Sequence, residues 1–253
     1  AVSSTNSNCG QPNGKTCATV AGGTAPLNYI WSNAISTLCN NNIVAGAYTF
    51  TVTDANGCSA NASGLINDVT GPVISITSQT NVSCFSGSDG AATTTVTGGV
   101  PTYTLSWSGG QTIPNPNNLG AGLHNVTVID AAGCVGSASV TITEPAQLVS
   151  AIGSFSNVTC FGLSNGEATI LTNGGTTPYS YSWTPSALTS SVLANVPANI
   201  YTGVVTDANG CITSSSVTIS EPQALVMASS SFSNISCFGG TNGQIITSVQ
   251  GGS

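Results

Sequence analysis

The strongest constraint on this chain is that it repeats itself. Four segments open with a cysteine and a Gly-rich turn: CGQPNG from Cys9, CFSGSDG from Cys84, CFGLSNG from Cys160 and CFGGTNG from Cys237, spaced by 75, 76 and 77 residues. In the first three, a Gly-Gly pair (beginning at Gly22, Gly98 or Gly174), a proline and an aromatic segment ending at Trp31, Trp107 or Trp183 follow. A second cysteine then falls in TDANGC or IDAAGC, at Cys58, Cys134 or Cys211. A fixed period of this kind means one supersecondary unit used again and again. The expected organisation is a variant copy over 1–72, full copies over 73–145 and 146–222, and the start of a fourth over 223–253.

The repeat gives the nine cysteines an account. One cysteine at each of two fixed positions per copy leads to the expectation that Cys9 bonds Cys58, Cys84 bonds Cys134 and Cys160 bonds Cys211, with the partner of Cys237 beyond the chain end. Cys17 and Cys39, extra to the first copy, most simply bridge each other. No Cys-x-x-Cys spacing occurs and His124 is the one histidine, so metal ligation is a poor rival to disulfides. Disulfides in turn imply an oxidising compartment outside the cytosol. On the chain-entropy view a closed loop of ~50 residues contributes about 4 kcal/mol, and the ~22-residue loop between Cys17 and Cys39 about 3 kcal/mol. From each second cysteine to the next first cysteine the interval is always 26 residues, whereas inside the expected pairs it is 49, 50 and 51. No flexible linker separates the copies.

Composition removes several function classes. Charged residues are 4% of the chain, with one Lys or Arg and a formal charge of −7. Such a chain cannot neutralise a run of phosphates, so nucleic acid is excluded as a partner. The same lack of cations speaks against anionic lipid, and no apolar run reaches the ~18 residues of a membrane helix, so no membrane insertion is expected. Ala1 to Gly10 has neither the basic start nor the apolar stretch of a leader, so the numbering is expected to begin after processing or inside a longer protein.

Between turns the sequence alternates with period two, the pattern of half-buried strands. Tyr48, Phe50 and Val52 share a face, as do His124, Val126 and Val128, and Tyr201, Gly203 and Val205. Turns at Asn56-Gly57, Ala132-Gly133 and Asn209-Gly210 then reverse the chain into a hairpin. Trp31, Trp107 and Trp183 fall in core phase, with Tyr48, His124 and Tyr201 expected to pack beside them. Small strands around one Trp and one disulfide suggest an all-β array of immunoglobulin-like sandwiches. Cys17 is out of phase with Thr16, Ala18 and Val20, so its bridge is expected outside the core, pinning a loop around Asn40 to Asn42. Glu144-Pro145 and Glu221-Pro222 end the second and third copies, where proline stops a strand.

Taken together, CFGGTNG, the segment of Gly-Gly-x-Pro-Tyr-x-Tyr-x-Trp type, TDANGC and TITEP resemble the SprB repeat of very large surface adhesins of gliding bacteria. The hairpin strand is also similar to polycystic-kidney-disease-type immunoglobulin-like domains. The first copy departs from the pattern, lacking the Phe after Cys9 and the Glu-Pro ending. The resemblance implies a secreted or cell-surface array and brings no catalytic residues.

Individual side chains offer little chemistry. His124 replaces a tyrosine and has no partner set for catalysis. Asp54, Asp130 and Asp207 precede the hairpin turns, where Asp bonds turn backbone; they are also the calcium candidates, although each copy brings only one or two acids to a site needing six to eight oxygens. Asn81, Asn157 and Asn234 stand in Asn-x-Ser/Thr triplets ahead of the first cysteine and are the glycosylation candidates, with Asn61 and Asn125 besides. Lys15 reads as a solvated lysine. No cofactor is expected. The favoured function is a stiff, disulfide-stapled stalk in an adhesin or extracellular filament, whose partners are neighbouring repeats of the same chain. Binding of surface glycans, and lateral association with other copies in a fibre, are the alternatives.

Overall fold

A computed structural model describes residues 1–252, and among them every regular element is a β-strand. The first copy folds as two three-stranded antiparallel sheets. Val2–Thr5, Gly14–Ala18 and Cys39–Ile43 form one; Asn28–Trp31, Gly46–Thr53 and Ser59–Ile66 form the other. The third copy repeats the plan with Val149–Ser156, Gly166–Asn173 and Val192–Val196 against Ser180–Thr184, Asn199–Thr206 and Ile212–Ile219. In the second, Pro72–Thr80 pairs with Ala91–Gly98, a single bridge joins Gly90 to Leu119, and Thr104–Trp107, Gly122–Ile129 and Val135–Ile142 make the other sheet. Beyond these, Gln223–Ser233 pairs with Gln244–Gly252. This is the immunoglobulin-like sandwich expected from the alternation, in serial copies.

The alternation is what makes each sheet two-faced. Along Gly122–Ile129, Val126 and Val128 are fully buried while Leu123 and Ile129 look outward. All three tryptophans are buried, and each indole Nε1 donates to a carbonyl six or seven residues on: Trp31 to Thr37 (2.9 Å), Trp107 to Ile113 (3.0 Å) and Trp183 to Ser190 (3.0 Å). The ring thus fills the core while its one polar atom is satisfied, as a buried Trp requires. Opposite the indole on the neighbouring strand stand Phe50, Val126 and Gly203 respectively. Phe50 packs at 5.0 Å between ring centroids from Trp31. A Cβ on Gly203 would lie 2.1 Å from Ile170 Cδ1 and 3.0 Å from the Trp183 ring, so the third copy takes no side chain there.

The aromatic at the start of the hairpin does more than pack. Tyr48 Oη donates to Val44 O (3.0 Å), Tyr201 Oη to Pro197 O (3.0 Å), and His124 Nε2 stands 2.9 Å from Gly120 O. In each copy the contact runs four residues back, pinning the corner by which the chain enters the strand, like the tyrosine corner of immunoglobulin domains. Histidine replaces tyrosine because it too is a planar ring with a polar tip. Only Tyr201 of the three is buried; Tyr48 and His124 are half-buried, at the rim of the core and not in it.

The chain divides into two compact units: Ala1–Asn81 with Ser88–Thr143, and Val82–Gly87 with the residues from Glu144 onward. The main cut, between Thr143 and Glu144, falls at the end of the second copy, but one loop crosses it. Val82–Gly87, a loop of the second copy, belongs with the third.

Candidate functional site

That misplaced loop carries Cys84, and the cysteines explain it. Cys9 is bonded to Cys134 and Cys84 to Cys211, with Cα–Cα distances of 5.4 and 5.7 Å. Each staple therefore joins the first cysteine of one copy to the second cysteine of the next. Pairing inside a copy, Cys9 with Cys58, Cys84 with Cys134 and Cys160 with Cys211, is not what the structure holds; Cys58, Cys160 and Cys237 are exposed thiols.

The reason is length. Cys9 sits beside the Ile66 end of its copy, where Ser7–Asn8 pairs with Asp68–Val69. Cys58 lies past the opposite end of the same hairpin, whose register runs from Gly46 with Ile66 to Thr53 with Ser59. Seven strand steps separate those ends, about 24 Å at ~3.4 Å each. A disulfide needs Cα atoms within about 7 Å. What does lie near the end of the first copy is the hairpin of the second: a Cβ on Gly71 would be 3.0 Å from Cys134 Cβ.

Both halves of the staple are built by hydrogen bonds that recur copy by copy. On the loop side, the side-chain oxygens of Asn6, Asn81 and Asn157 accept from the backbone N–H of Asn67, Thr143 and Ser220 (3.1, 3.1 and 3.0 Å), tying the approach to the cysteine onto the end of the last strand. The turn itself closes from Cys84 O to Gly87 N (2.9 Å), Cys160 O to Leu163 N (3.2 Å) and Cys237 O to Gly240 N (2.9 Å). Its third residue has positive φ, at Ser86 (59°), Gly162 (76°) and Gly239 (78°), which is why Gly is the usual occupant. The N–H of that residue donates to a carboxylate, Ser86 to Glu144 and Gly162 to Glu221 (2.7 Å); in the first copy the N–H of Gly10, directly after Cys9, donates to Asp68 (3.0 Å). From the sequence, Glu144 and Glu221 read only as part of a strand stop, and Asp68 was not singled out. The signal was present: Asp68, Glu144 and Glu221 each stand ten residues after the second cysteine, and the first copy keeps the acid although it lacks the Glu-Pro pair.

On the hairpin side the organiser is the aspartate. Asp54 Oδ1 accepts from Asn56 N (3.0 Å) and Cys58 N (2.9 Å) while Oδ2 accepts from Thr24 N (3.2 Å). Asp130 does the same with Ala132, Cys134 and Val100, and Asp207 with Asn209, Cys211 and Thr176. The carboxylate fixes the turn, the cysteine backbone and the incoming Gly-Gly segment at once. These bonds hold the three carboxyls below the ordinary 3.8: for Asp54 chiefly the N–H of Thr24, for Asp130 that of Val100. For Asp207 burial pushes upward most strongly, and the N–H groups of Thr176, Cys211, Asn209 and Gly210 together outweigh it. The carboxylate oxygens are thus committed to backbone N–H groups, and among the described residues no group of three or more His, Cys, Asp or Glu side chains gathers that could hold a metal ion.

Cys17 bonds Cys39, its direct cross-strand partner, on the face opposite buried Thr16 and Ala18. The segment expected to be a loop at Asn40 to Asn42 is itself the strand Cys39–Ile43, so the bridge clamps two strands and pins no loop. Asn40 is buried, exchanging side-chain hydrogen bonds with Asn33 (2.8 Å). Of the glycosylation candidates, Asn81 and Asn157 carry the strand-tying bonds described above, and Asn234 holds the matching place before Cys237. Lys15 is exposed.

The SprB repeat family matches residues 76–112 and 152–188, in the second and third copies, each stretch running from before the first cysteine past the tryptophan. Two stretches of the chain thus match SprB repeats. No curated protein matches its sequence. Among solved structures it is similar to the three N-terminal domains of the bacteriophage RB49 Highly Immunogenic Outer Capsid protein, at 16% identity and a TM-score of 0.38 over 87% of this chain and 97% of that one. It is also similar to the N-terminal eight Ig domains of Down Syndrome Cell Adhesion Molecule, at 15% identity and 0.38 over 88% of this chain and 36% of the other. A third is Sidekick-1 immunoglobulin domains 1–5, at 13% and 0.29 over 86% and 57%.

Proposed function

We propose that these SprB repeats form a load-bearing segment of an extracellular, surface-attached adhesin or filament, with copies 1–72, 73–145 and 146–222 and the opening of a fourth over 223–253 acting as a stiff stalk and not as an enzyme. The observation that carries the reading is the staple between consecutive copies. Each such bond fastens the cysteine turn of one copy to the hairpin of the next, so consecutive copies are joined by a crosslink as well as by the backbone, and the chain can lengthen only to the limit of the bridged path when a copy unfolds. Disulfides also favour an address outside the cytosol, and the recurring Asn, Asp and Glu bonds serve to place the two cysteines rather than to hold a substrate.

Pulling on the two ends of single molecules tests this. With both staples intact the shortest covalent path runs 1 to 9, across to 134, back to 84, across to 211 and on to the end. That path is about 100 residues long and stretches to about 340 Å, against about 850 Å for the reduced chain. Extension of the oxidised chain to the longer limit at forces that leave disulfides whole would reject the stalk reading.

A further inference from the structure

The two staples leave one hairpin with its cysteine free, that of Cys58, and it is built like the two that are occupied. Cys58 N lies 2.9 Å from Asp54 Oδ1, as Cys134 N lies 2.8 Å from Asp130 Oδ1 and Cys211 N 2.9 Å from Asp207 Oδ1. The likeness extends to a side chain that meets the docked loop. In the occupied site of the third copy, Asn209 Nδ2 donates both to Thr176 Oγ1 (3.1 Å) and to Ser83 O (2.8 Å), the residue before Cys84. In the first copy, Asn56 Nδ2 is held on Thr24 Oγ1 at the same 3.1 Å. The complementary half also exists unbonded: the Cys160 turn is closed, with Gly162 N on Glu221, and Cys160 is exposed.

We propose that the Cys58 hairpin is a covalent docking site for the Cys-Phe-Gly turn of another copy of this repeat. The occupant is a turn of the Cys160 type, its own acid in place, with the residue before its cysteine accepting from Asn56 as Ser83 accepts from Asn209. The bond forms by thiol–disulfide exchange with a low-molecular-weight disulfide such as oxidised glutathione. The Cys58 and loop thiols each lose a proton and an electron, one S–S bond forms, and the glutathione S–S bond is reduced to two thiols. The site thereby extends the staple from a link between given neighbours to a rule for adding copies.

The test uses the whole chain with residues 146–228 duplicated ahead of Ala1, which restores the spacing of consecutive copies, and with Cys160→Ser and Cys237→Ser at the original positions. After equilibration in a glutathione redox buffer, non-reducing peptide mapping should find the added copy of Cys160 bonded to Cys58. Alkylation of Cys58 should fall at least tenfold, while the added copy of Cys211 stays alkylatable. Adding Cys58→Ser should return the added Cys160 to the free pool. Cys58 alkylated as in the unextended chain, capped by glutathione, or bonded to the added Cys211 would overturn the proposal, as would protection of the added Cys160 without Cys58. Such a failure would leave the staples at Cys134 and Cys211 untouched, and with them the stalk reading, which the stretching experiment judges separately.

Discussion

Replacing Cys9 by serine separates the staple seen here from the pairing expected of a single immunoglobulin domain. The bond closes a loop with a sequence separation of 125, which on the chain-entropy model is worth about 5 kcal/mol. With a urea dependence of about 2 kcal/mol per molar, the midpoint for the unit built from the first two copies should fall by about 2.5 M. The thiol inventory is the sharper readout. Alkylation in denaturant without reductant should label Cys58, Cys160 and Cys237 in the parent, and Cys134 in addition in Cys9→Ser. Had the cysteines paired within copies, Cys58 would be protected in the parent and released by the substitution, while Cys134 stayed bonded to Cys84. Finding that pattern, or a midpoint that does not move, would refute the inter-copy staple and the end-to-end geometry behind it.

Other outcomes follow from the same bonds. Asp54, Asp130 and Asp207 have folded-state pKa values below the 3.8 of the unfolded chain, so the stability they contribute is complete above about pH 4 and is lost as pH falls through the depressed values. The urea midpoint should be flat from neutrality to that point and then decline, with a shallower decline in Asp130→Ala. Tyr201→Phe keeps the ring but removes the bond to Pro197 O, and should cost about 1 kcal/mol in chemical denaturation. Gly203→Ala puts a methyl where Ile170 and Trp183 already meet, and should cost about 1–3 kcal/mol and perturb the near-UV circular dichroism of Trp183.

Much of the fold was legible because period-two alternation and turn residues are local signals. Val126 and Val128 face inward, Trp31, Trp107 and Trp183 are central, and Asn56-Gly57 turns the hairpin, each as its own neighbourhood in sequence dictates. The rim position of Tyr48 and His124 was not legible, since period two gives the face of a strand and says nothing of distance from the sheet end. The role of Asn6, Asn81 and Asn157 was masked for a different reason. In two of the three places the same letters spell a glycosylation triplet, and only the first copy, Asn6-Ser7-Asn8, shows the asparagine without it.

The cysteine pairing failed on topology, and the numbers that would have corrected it were in the spacing. A segment that sets the distance between two bonded groups must keep its length, whereas one that merely loops out may vary. The interval that never varies is the 26 residues from a second cysteine to the next first one, as from Cys58 to Cys84. It contains the outgoing strand Ser59–Ile66, the crossing at Asp68 to Pro72, and the incoming strand Pro72–Thr80. That crossing is what brings Cys9, tied through Cys9 N to Val69 O, up to Cys134, which lies against Gly71. One residue more between Val69 and Pro72 would move the two sulfurs apart by about 3.4 Å, more than the Cα tolerance of a disulfide allows without distortion. The stretch from Cys9 to Cys58 is free of that demand and runs 49, 50 or 51 residues in successive copies. Constancy marked the joint and variation the body. A single glycine inserted into the crossing, between Thr70 and Gly71, should therefore abolish the Cys9–Cys134 bond in the peptide map, while one at the exposed turn Gly109-Gly110 should leave it intact.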